Sequence, residues 1–317
     1  MSLISVIIPV YNSALYIQKA IESVLKQPED IEIVIVDDGS TDSSLTICQK
    51  MAKSNSTIKI IQHQDKRNHG RSASRNLGIK TSVGKYIAFL DADDYYLPGR
   101  FANDLKILDT EVSIDGVYNA ISAHFYREFT LTEKNKLQLT TLREKVAPDK
   151  LFESMGPIGH LGYFSGIGLT VNRSVFEKTG FFNEGLVVAE DTELWIRMAL
   201  VANLKSGNIN QPVAMRGVHY SNSSFKEHDL YEVNNLKMYE SLLKWSFEKQ
   251  IPIRRIDLLW KKIWVNRGIN NKGLTWDLVY WFGSVINHPS LLRLKRVYTT
   301  FPVFKRVKYI LKLIDVR

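Results

Sequence analysis

The strongest constraint on the fold is an apolar run that ends in a cluster of carboxylates. Residues 86–90 are apolar or aromatic, and Asp91-Ala92-Asp93-Asp94 follows them directly. Such a run predicts a strand buried on both faces of a parallel sheet. Carboxylates at this density repel one another and favour a solvated or cation-bound setting. Ligands of open parallel sheets bind where the strands end, so the pattern predicts Mg²⁺ or Mn²⁺ with a phosphate-bearing substrate. The alternative is an acidic turn that caps a helix.

The first part of the chain repeats a strand–helix pattern. Short apolar, β-branched runs at 4–10, 31–36 and 58–63 predict strands, and the segments between them carry apolar residues at helical spacing. This alternation predicts an α/β fold with a doubly wound, mostly parallel sheet flanked by helices. Further along, residues 116–125 predict one more strand.

Composition limits the classes of protein that need to be considered. The chain has 317 residues, a net charge of +9 and a single cysteine, Cys48, which excludes an intrachain disulfide. The basic balance favours anionic ligands or an anionic surface. The sequence has no apolar stretch of about 20 residues, so it predicts no membrane-spanning helix. No basic leader precedes Ile4, so we expect a reducing, cytoplasmic setting.

Several polar residues have both a functional and a structural interpretation. Arg71 and Arg75 are candidate diphosphate contacts, or they form a solvated helix face. Asp191 or Thr192 lies where an N-cap is expected, so Asp191 is either a helix cap or a general base. His219 follows a predicted strand and is either a metal ligand or a surface residue.

Composition changes near residue 226, which predicts domains at 1–225 and 226–317. The second part has long helical patterns and most of the tryptophans. Its tail, 291–317, carries eight Lys or Arg residues against one acidic residue, interleaved with apolar ones. This pattern predicts a helix on an anionic membrane surface, or a basic helix that packs on the protein. Nucleic acid is not an expected partner, because no reading motif is present.

The motifs taken in order resemble the family-two inverting glycosyltransferases with the GT-A fold. The matching runs are Pro9-Val10-Tyr11-Asn12, Val36-Asp37-Asp38-Gly39-Ser40-Thr41-Asp42, Gly70 with Ala73, Arg75-Asn76 and Gly78, Phe89-Leu90-Asp91-Ala92-Asp93-Asp94, and Glu190-Asp191 with Leu194-Trp195. They extend over about residues 3–220. The helical part after residue 226 lies outside the resemblance.

The resemblance implies transfer, with inversion, from a nucleotide-diphosphate sugar, with uridine as the base. Asp93 and His219 would bind Mn²⁺ or Mg²⁺, and Asp191 would be the catalytic base, tuned by Glu190. Trp195 would pack beneath the acceptor sugar. With Arg71 added as a diphosphate contact, the residues expected to hold the donor are Pro9, Tyr11, Asn12, Asp37, Asp38, Arg71, Asp91 and Ala92.

Two other functions are compatible with an α/β nucleotide site. One is a sugar-phosphate nucleotidyltransferase, which we disfavour because Tyr11-Asn12-Ser13 is not a glycine-rich basic loop. The other is a non-catalytic nucleotide-sugar-binding module. A dinucleotide oxidoreductase is disfavoured because no Gly-x-Gly-x-x-Gly follows the first strand. The expected acceptor is a glycan or a lipid-linked acceptor at the inner face of a membrane. The sequence indicates no oligomeric state.

Overall fold

The computed structural model describes residues 4–222, 228–270 and 273–304. It divides into two compact units, Met1–Lys226 and Glu227–Arg317. Among the residues it describes, no helix is long and apolar enough to cross a membrane. That the two units are separate domains stays a prediction.

The first unit holds ten strands and eight α-helices within its described residues. The strands are β1 (Ile4–Val10), β2 (Ile31–Asp37), β3 (Ile58–Gln62), β4 (Tyr86–Phe89), β5 (Tyr95–Tyr96), β6 (Gly116–Tyr118), β7 (Ser122–Phe125), β8 (Leu169–Asn172), β9 (Leu204–Ser206) and β10 (Ala214–Val218). The helices are α1 (Ile17–Leu25), α2 (Ser44–Ser54), α3 (Arg71–Thr81), α4 (Ala102–Thr110), α5 (Leu131–Leu137), α6 (Leu151–Ser154), α7 (Val175–Thr179) and α8 (Glu190–Val201).

A seven-stranded sheet in the order β3-β2-β1-β4-β8-β6-β9 forms the centre of this unit. Strands β3, β2, β1 and β4 run parallel, and β8 is antiparallel to both of its neighbours. The chain leaves β1 toward β2 and later returns to β4 on its other side, so the strand order reverses at β1. Such a reversal opens a crevice at the carboxyl ends of the strands. The predicted α/β fold with a mostly parallel sheet is confirmed.

Close packing of α3 on the sheet fixes where its first turn lies. Strand β1 is buried along nearly its whole length. A Cβ atom at Gly78 would lie 2.5 Å from Cγ2 of Ile7, so only glycine lets α3 approach β1 this closely. The helix begins at Arg71, next to the ends of β1 and β2, and it therefore carries Arg71 and Arg75 to the crevice.

The prediction of one strand over residues 116–125 is wrong. The segment forms β6 in the central sheet and β7 in a second sheet of order β5-β10-β7. Between them, the buried Asn119 donates from Nδ2 to Asp104 Oδ1 at 2.9 Å and to the Gly168 carbonyl at 3.0 Å. These side-chain bonds to other segments end the pairing of β6 in the central sheet. A pattern of apolar residues carries no information about such bonds.

The described part of the second unit is helical. Its helices are α9 (His228–Glu248), α10 (Ile253–Asn270), α11 (Leu274–Asn287) and α12 (Lys295–Thr299), and a 3₁₀ turn at Pro289–Arg293 precedes α12. Antiparallel packing of α9 and α10 follows from the short connection between them.

The tail predicted to bind a membrane begins as a packing element. Leu291, Leu294 and Val297 are buried. Trp281 Nε1 donates to the Val297 carbonyl at 3.0 Å, and Trp260 Nε1 donates to Thr300 Oγ1 at 2.9 Å. Leu291, Leu294 and Val297 therefore follow the packing alternative, whereas Phe304 is 63% exposed and residues 305–317 lie outside the described chain.

Candidate active site

The turns that follow β1 and β2 are joined by the side chain of Asn12. Its Oδ1 accepts from the backbone amide of Thr41 at 2.8 Å and from that of Asp42 at 3.3 Å. The backbone amide of Asn12 donates to Ser40 Oγ at 3.2 Å. Asn12 has a positive φ of 47°, a conformation that asparagine tolerates better than most residues. The Pro9–Asn12 turn and the Ser40–Asp42 turn thus form one rigid edge, from which the Tyr11 ring projects into solvent.

Asp37 and Asp38 are both buried but differ in their bonding. Asp38 accepts from the His69 amide at 2.8 Å with Oδ1 and from the Gly70 amide at 2.9 Å with Oδ2, so it fixes the loop before α3. Asp37 accepts from Gln62 Nε2 at 2.8 Å with Oδ2. Its other oxygen is buried and has no partner among the described residues. Their roles toward a nucleotide base stay predictions.

Arg75 bridges the acidic turn after β4 and the start of α8. Its guanidinium lies 2.6 Å from Asp91 Oδ1 and 3.2 Å from Glu190 Oε1, and Arg71 Nε lies 3.4 Å from the same Glu190 oxygen. Arg75 and Glu190 are both buried. The Arg75 guanidinium therefore holds the carboxylates of Asp91 and Glu190, which are 99 residues apart in sequence.

The pKa values of these two carboxyl groups are shifted in opposite directions. Burial acts to raise the pKa of Asp91, but Arg75, with smaller effects of Arg71 and Arg216, holds it below its usual range. Burial, and then the neighbouring Asp191, raise the pKa of Glu190 against the opposing effect of the two guanidinium groups. Carboxyl groups whose pKa values are pushed apart are a common feature of active sites.

Helix α8 begins two residues earlier than an N-cap at Asp191 would allow, so the N-cap alternative is wrong. The residue before the helix is Ala189, which has a positive φ of 64° and gives no side-chain cap, and the helix begins at Glu190. Asp191 lies within the first turn, where unpaired amides and the helix dipole stabilise an anion. Its Oδ1 accepts from the Thr192 amide at 2.6 Å and from Thr192 Oγ1 at 3.2 Å.

The structure brings together Asp93 and His219, the two residues predicted to bind metal. His219 Nε2 lies 2.9 Å from Asp93 Oδ2, and its Nδ1 lies 2.7 Å from Ser221 Oγ. The ring of Tyr16 stacks on the imidazole at a centroid distance of 4.6 Å. Asn222 donates to Asp93 Oδ2 at 3.0 Å and accepts from the His219 amide at 2.6 Å. Both ring nitrogens of His219 therefore have hydrogen-bond partners, and one face of its ring is covered by Tyr16.

Asp93 and His219 suit a divalent cation that brings other ligands with it. Within the described ranges, no group of three or more His, Cys, Asp or Glu side chains could hold a metal ion. One carboxylate and one imidazole are too few for an all-protein cage, but Mg²⁺ and Mn²⁺ commonly take the rest of their ligands from phosphate and water. The third carboxylate, Asp94, is buried and accepts from the Gly217 amide at 2.8 Å. Burial, and then the neighbouring Asp93 and Asp91, raise the pKa of Asp94. Its bond to the Gly217 amide ties the turn after β4 to β10.

Trp195 and Ala92 occupy buried positions. The Trp195 ring packs against the rings of Phe89, Phe164 and Phe182 and is only 4% exposed. The structure therefore gives Trp195 a place in the aromatic core, and its predicted contact with an acceptor stays a prediction. Ala92 is buried as well, between the two aspartates of the turn.

Sequence reasoning missed the roles of Asn222 and Asn76. The Asn76 amide donates to Glu184 Oε1 at 2.7 Å and to the Phe182 carbonyl at 3.0 Å, and it accepts from the Phe182 amide at 2.9 Å. Helix α3 thereby holds the loop that leads to α8. The polar pair Ser221-Asn222, close after His219, was the signal that Asn222 could support the Asp93–His219 pair. Nothing in the local sequence predicts the contact of Asn76 with Phe182, which lies 106 residues away.

Two curated relatives illustrate the sequence similarity. An uncharacterised glycosyltransferase from Rickettsia felis is 34% identical over 203 residues, which cover 63% of this chain and 32% of the relative. Chondroitin synthase from Escherichia coli is 28% identical over 249 residues, which cover 78% of this chain and 34% of that enzyme. The chain spans about a third of the length of each of these relatives.

Solved structures share the fold. The S. aureus TarS fragment 1-349 in complex with UDP-GlcNAc has a TM-score of 0.62 at 20% identity, over 84% of this chain and 72% of that one. A mannosyltransferase from Pyrobaculum calidifontis in complex with GDP-Man and Mn²⁺ has a TM-score of 0.54 at 17% identity, over 99% and 88% of the two chains. The fold is thus the GT-A fold. The model of glycosyl transferase family 2 matches residues 5–160, and through that region the chain belongs to this family.

Proposed function

We propose that this chain is an inverting glycosyltransferase that moves a sugar from a UDP-sugar to a hydroxyl group of a glycan or a lipid-linked acceptor. One observation carries the proposal. The turn after β4 holds Asp93 against His219 on one side and Asp91 against the Arg75–Glu190 bridge on the other. A cation site and a candidate base at the start of α8 are therefore tied to the same four-residue turn.

The donor would lie along the carboxyl ends of β1, β2 and β4. The nucleotide base would rest against the rigid edge formed by Pro9–Asn12, near Asp37 and Asp38. The sugar of the donor would lie near Asp91 and Ala92. Arg71 is partly exposed and would face the diphosphate. The UDP-GlcNAc complex of the TarS fragment, which has the same fold, supports a UDP-sugar in this crevice.

Asp93 and His219 would hold Mn²⁺ or Mg²⁺. When bound, the metal neutralises negative charge that develops on the departing nucleoside diphosphate. The mixed carboxylate and imidazole set is compatible with Mn²⁺, and the Mn²⁺ complex of the Pyrobaculum enzyme supports a divalent cation. Ser221 and Asn222 would orient the two ligands, as outer hydrogen-bond partners do in other metal sites.

Asp191 would act as the general base. Its described hydrogen bonds go to Oδ1, which leaves Oδ2 for the proton of the acceptor hydroxyl. The hydroxyl oxygen would bond to the anomeric carbon as the bond from that carbon to the diphosphate oxygen breaks. The proton would pass to Asp191 and the electron pair to the diphosphate. A single displacement of this kind inverts the anomeric centre. Glu190, fixed by Arg71 and Arg75, would hold the first turn of α8 in place.

A transfer assay with matched variants tests this proposal. We expect purified protein with Mn²⁺ and a UDP-sugar to release UDP, and to release it faster with a suitable acceptor. Asp191→Asn should keep donor binding but lose about 10²–10⁴-fold in turnover, the usual contribution of a general base. Asp149→Asn, an exposed carboxylate in a surface turn, is the control and should turn over normally. Normal turnover by Asp191→Asn would remove Asp191 from the mechanism.

The alternatives separate in the same assay. Donor binding without any release of UDP would favour the non-catalytic nucleotide-sugar-binding module. Release of pyrophosphate from a nucleoside triphosphate and a sugar phosphate would favour the nucleotidyltransferase. The setting at the cytoplasmic face of a membrane stays a prediction of this proposal.

A further inference from the structure

Helix α11 in the second unit exposes large apolar side chains to solvent. Trp276 is 65% exposed, Val279 62%, Phe282 49% and Ile286 73%. At about 100° of rotation per residue, these four side chains fall within an arc of roughly 120°, over a length of about 15 Å. Gly283 lies on the same arc, and a Cβ atom there would have no neighbour within 4 Å. We call this surface the α11 stripe.

Contacts on other sides of α11 show that the stripe is its outer face. Trp281 is buried and donates to the Val297 carbonyl, and the Tyr280 ring lies 4.1 Å from the guanidinium carbon of Arg267. At the edge of the stripe, the Phe282 ring contacts Phe301 at 6.0 Å, and Phe301 contacts the exposed Phe304 ring at 5.4 Å. The apolar surface therefore continues from α11 onto the segment after α12.

The exposed charged side chains in the described part of the second unit are mostly basic. Among the described residues of the second unit with exposed side chains, Glu248 is the single acidic one. The exposed basic residues are Lys237, Lys244, Lys249, Arg254, Lys261, Arg293 and Lys295. Glu240 and Asp277 are paired with Arg267, and Asp257 is paired with Arg296. The excess positive charge is thus free to act on an external anionic partner.

We propose that the α11 stripe inserts into the headgroup region of an anionic lipid bilayer. Exposed Trp and Phe side chains on one helix face, in a unit rich in Lys and Arg, are the combination that binds such an interface. A second copy of the chain would bring two positively charged units together, which like-charge repulsion opposes. The proposal moves the membrane contact from the predicted tail, whose residues Leu291, Leu294 and Val297 are buried, to α11. It does not depend on the proposed transferase activity.

Vesicle binding of the full chain tests the proposal. We expect binding to phosphatidylglycerol vesicles and little binding to phosphatidylcholine vesicles. Trp276→Ser combined with Phe282→Ser should weaken the partition coefficient at least tenfold, since the two substitutions remove two large apolar side chains from the contact. The matched control is Val112→Ser combined with Leu131→Ser, which changes two exposed apolar residues of the first unit, 94% and 72% exposed, and should bind as the wild type does.

Fluorescence distinguishes contact through α11 from contact elsewhere. Among the six tryptophans, Trp276 is the strongly exposed one in the part of the chain that the structure describes. Brominated anionic lipid should therefore quench the tryptophan fluorescence of the wild type. Trp276→Phe should still bind vesicles but lose most of this quenching. Equal vesicle binding by the Ser double variant would overturn the proposal. A monomer in that variant and a dimer in the wild type, without vesicle binding by either, would assign the stripe to a second copy instead.

Thermal stabilisation by UDP with Mn²⁺ is measured on the same double variant. Retained stabilisation shows that the first unit is folded, and an unchanged far-ultraviolet circular dichroism spectrum and thermal unfolding curve without nucleotide show that the helices of the second unit are kept, so that any loss of vesicle binding is local to the α11 stripe. The transferase proposal and the membrane proposal can therefore fail separately.

Discussion

Removal of the Arg75 guanidinium is the perturbation that the structure defines best. Arg75→Met keeps much of the side-chain volume but leaves Glu190 buried without its closer cation. Breaking a buried ion pair by removing one partner commonly costs about 3–5 kcal/mol. We expect about 3 kcal/mol here, the low end, because Arg71 still faces Glu190 at 3.4 Å and the Asp91 side chain is 42% exposed.

The pH dependence of this loss has a defined sign. Glu190 already has a raised pKa, chiefly through burial and Asp191, so it opposes folding more as pH rises through that pKa. Without Arg75 the pKa rises further. Asp91 has a lowered pKa in the wild type, and the stability that this gives, present at neutral pH and lost in acid, also disappears. The Asp91 loss is nearly the same at pH 4.5 and pH 7, because both lie above the ordinary pKa of 3.8 for this group. The Glu190 effect grows between these pH values, and it makes the variant relatively less stable near pH 7 than near pH 4.5.

Urea unfolding at the two pH values measures the effect. A loss of about 3 kcal/mol corresponds to a drop in Tm of roughly 6–12 °C for a unit of this size. Arg67→Met, at an exposed position, is the control and should change stability by less than about 0.5 kcal/mol. Adding Glu190→Gln to Arg75→Met should restore part of the loss. A loss in Arg75→Met below about 0.5 kcal/mol, or one equal at both pH values, would refute the account of the bridge.

Three further predictions concern the Asp93–His219 pair, the packing of α3 and the start of α8. His219→Ala should abolish the part of nucleotide-induced stabilisation that requires Mn²⁺, measured by thermal shift, and an unchanged Mn²⁺ requirement would exclude His219 as a ligand. Gly78→Ala should destabilise the protein by about 1–3 kcal/mol in urea unfolding, because its Cβ would meet Ile7, while Gly283→Ala, with open space, should stabilise or be neutral. Equal effects of these two would contradict the packing argument. Ala189→Gly should lower the strain of a positive φ and raise Tm slightly, and a fall in Tm would show that the alanine methyl group contributes more than the strain.

Features that depend on local pattern could be predicted from the sequence. Apolar runs ending in Asp37 and in Asp91 predicted β2 and β4, because burial on both faces leaves a continuous apolar signal. Parallel strands then bring their carboxyl ends to one edge, so the acidic turns were expected near a common site. The meeting of Asp93 with His219, 126 residues away, came from the resemblance to a known family rather than from spacing.

Features decided by distant polar partners could not be predicted. Asn119 divides the segment 116–125 by bonding to Asp104, and a periodic pattern carries no information about that contact. The burial of Trp195 is a second case, since an aromatic residue in a core and one beneath a sugar look alike in sequence. In the second unit, Leu291 and Val297 are buried while Phe282 and Ile286 are exposed, although all four belong to similar amphipathic patterns.

The most direct test of the central claim is a thermal-shift comparison of nucleotide diphosphates and nucleotide-sugars, each with and without Mn²⁺, on the wild type and on Asp93→Asn. At a ligand concentration about 100 times Kd, binding should stabilise the native state by about 2.7 kcal/mol. We predict that a UDP-sugar stabilises the wild type only with Mn²⁺ and does not stabilise Asp93→Asn. Stabilisation that is equal in both proteins, or no stabilisation by any nucleotide, would contradict the claim that the turn after β4 is a metal-dependent donor site.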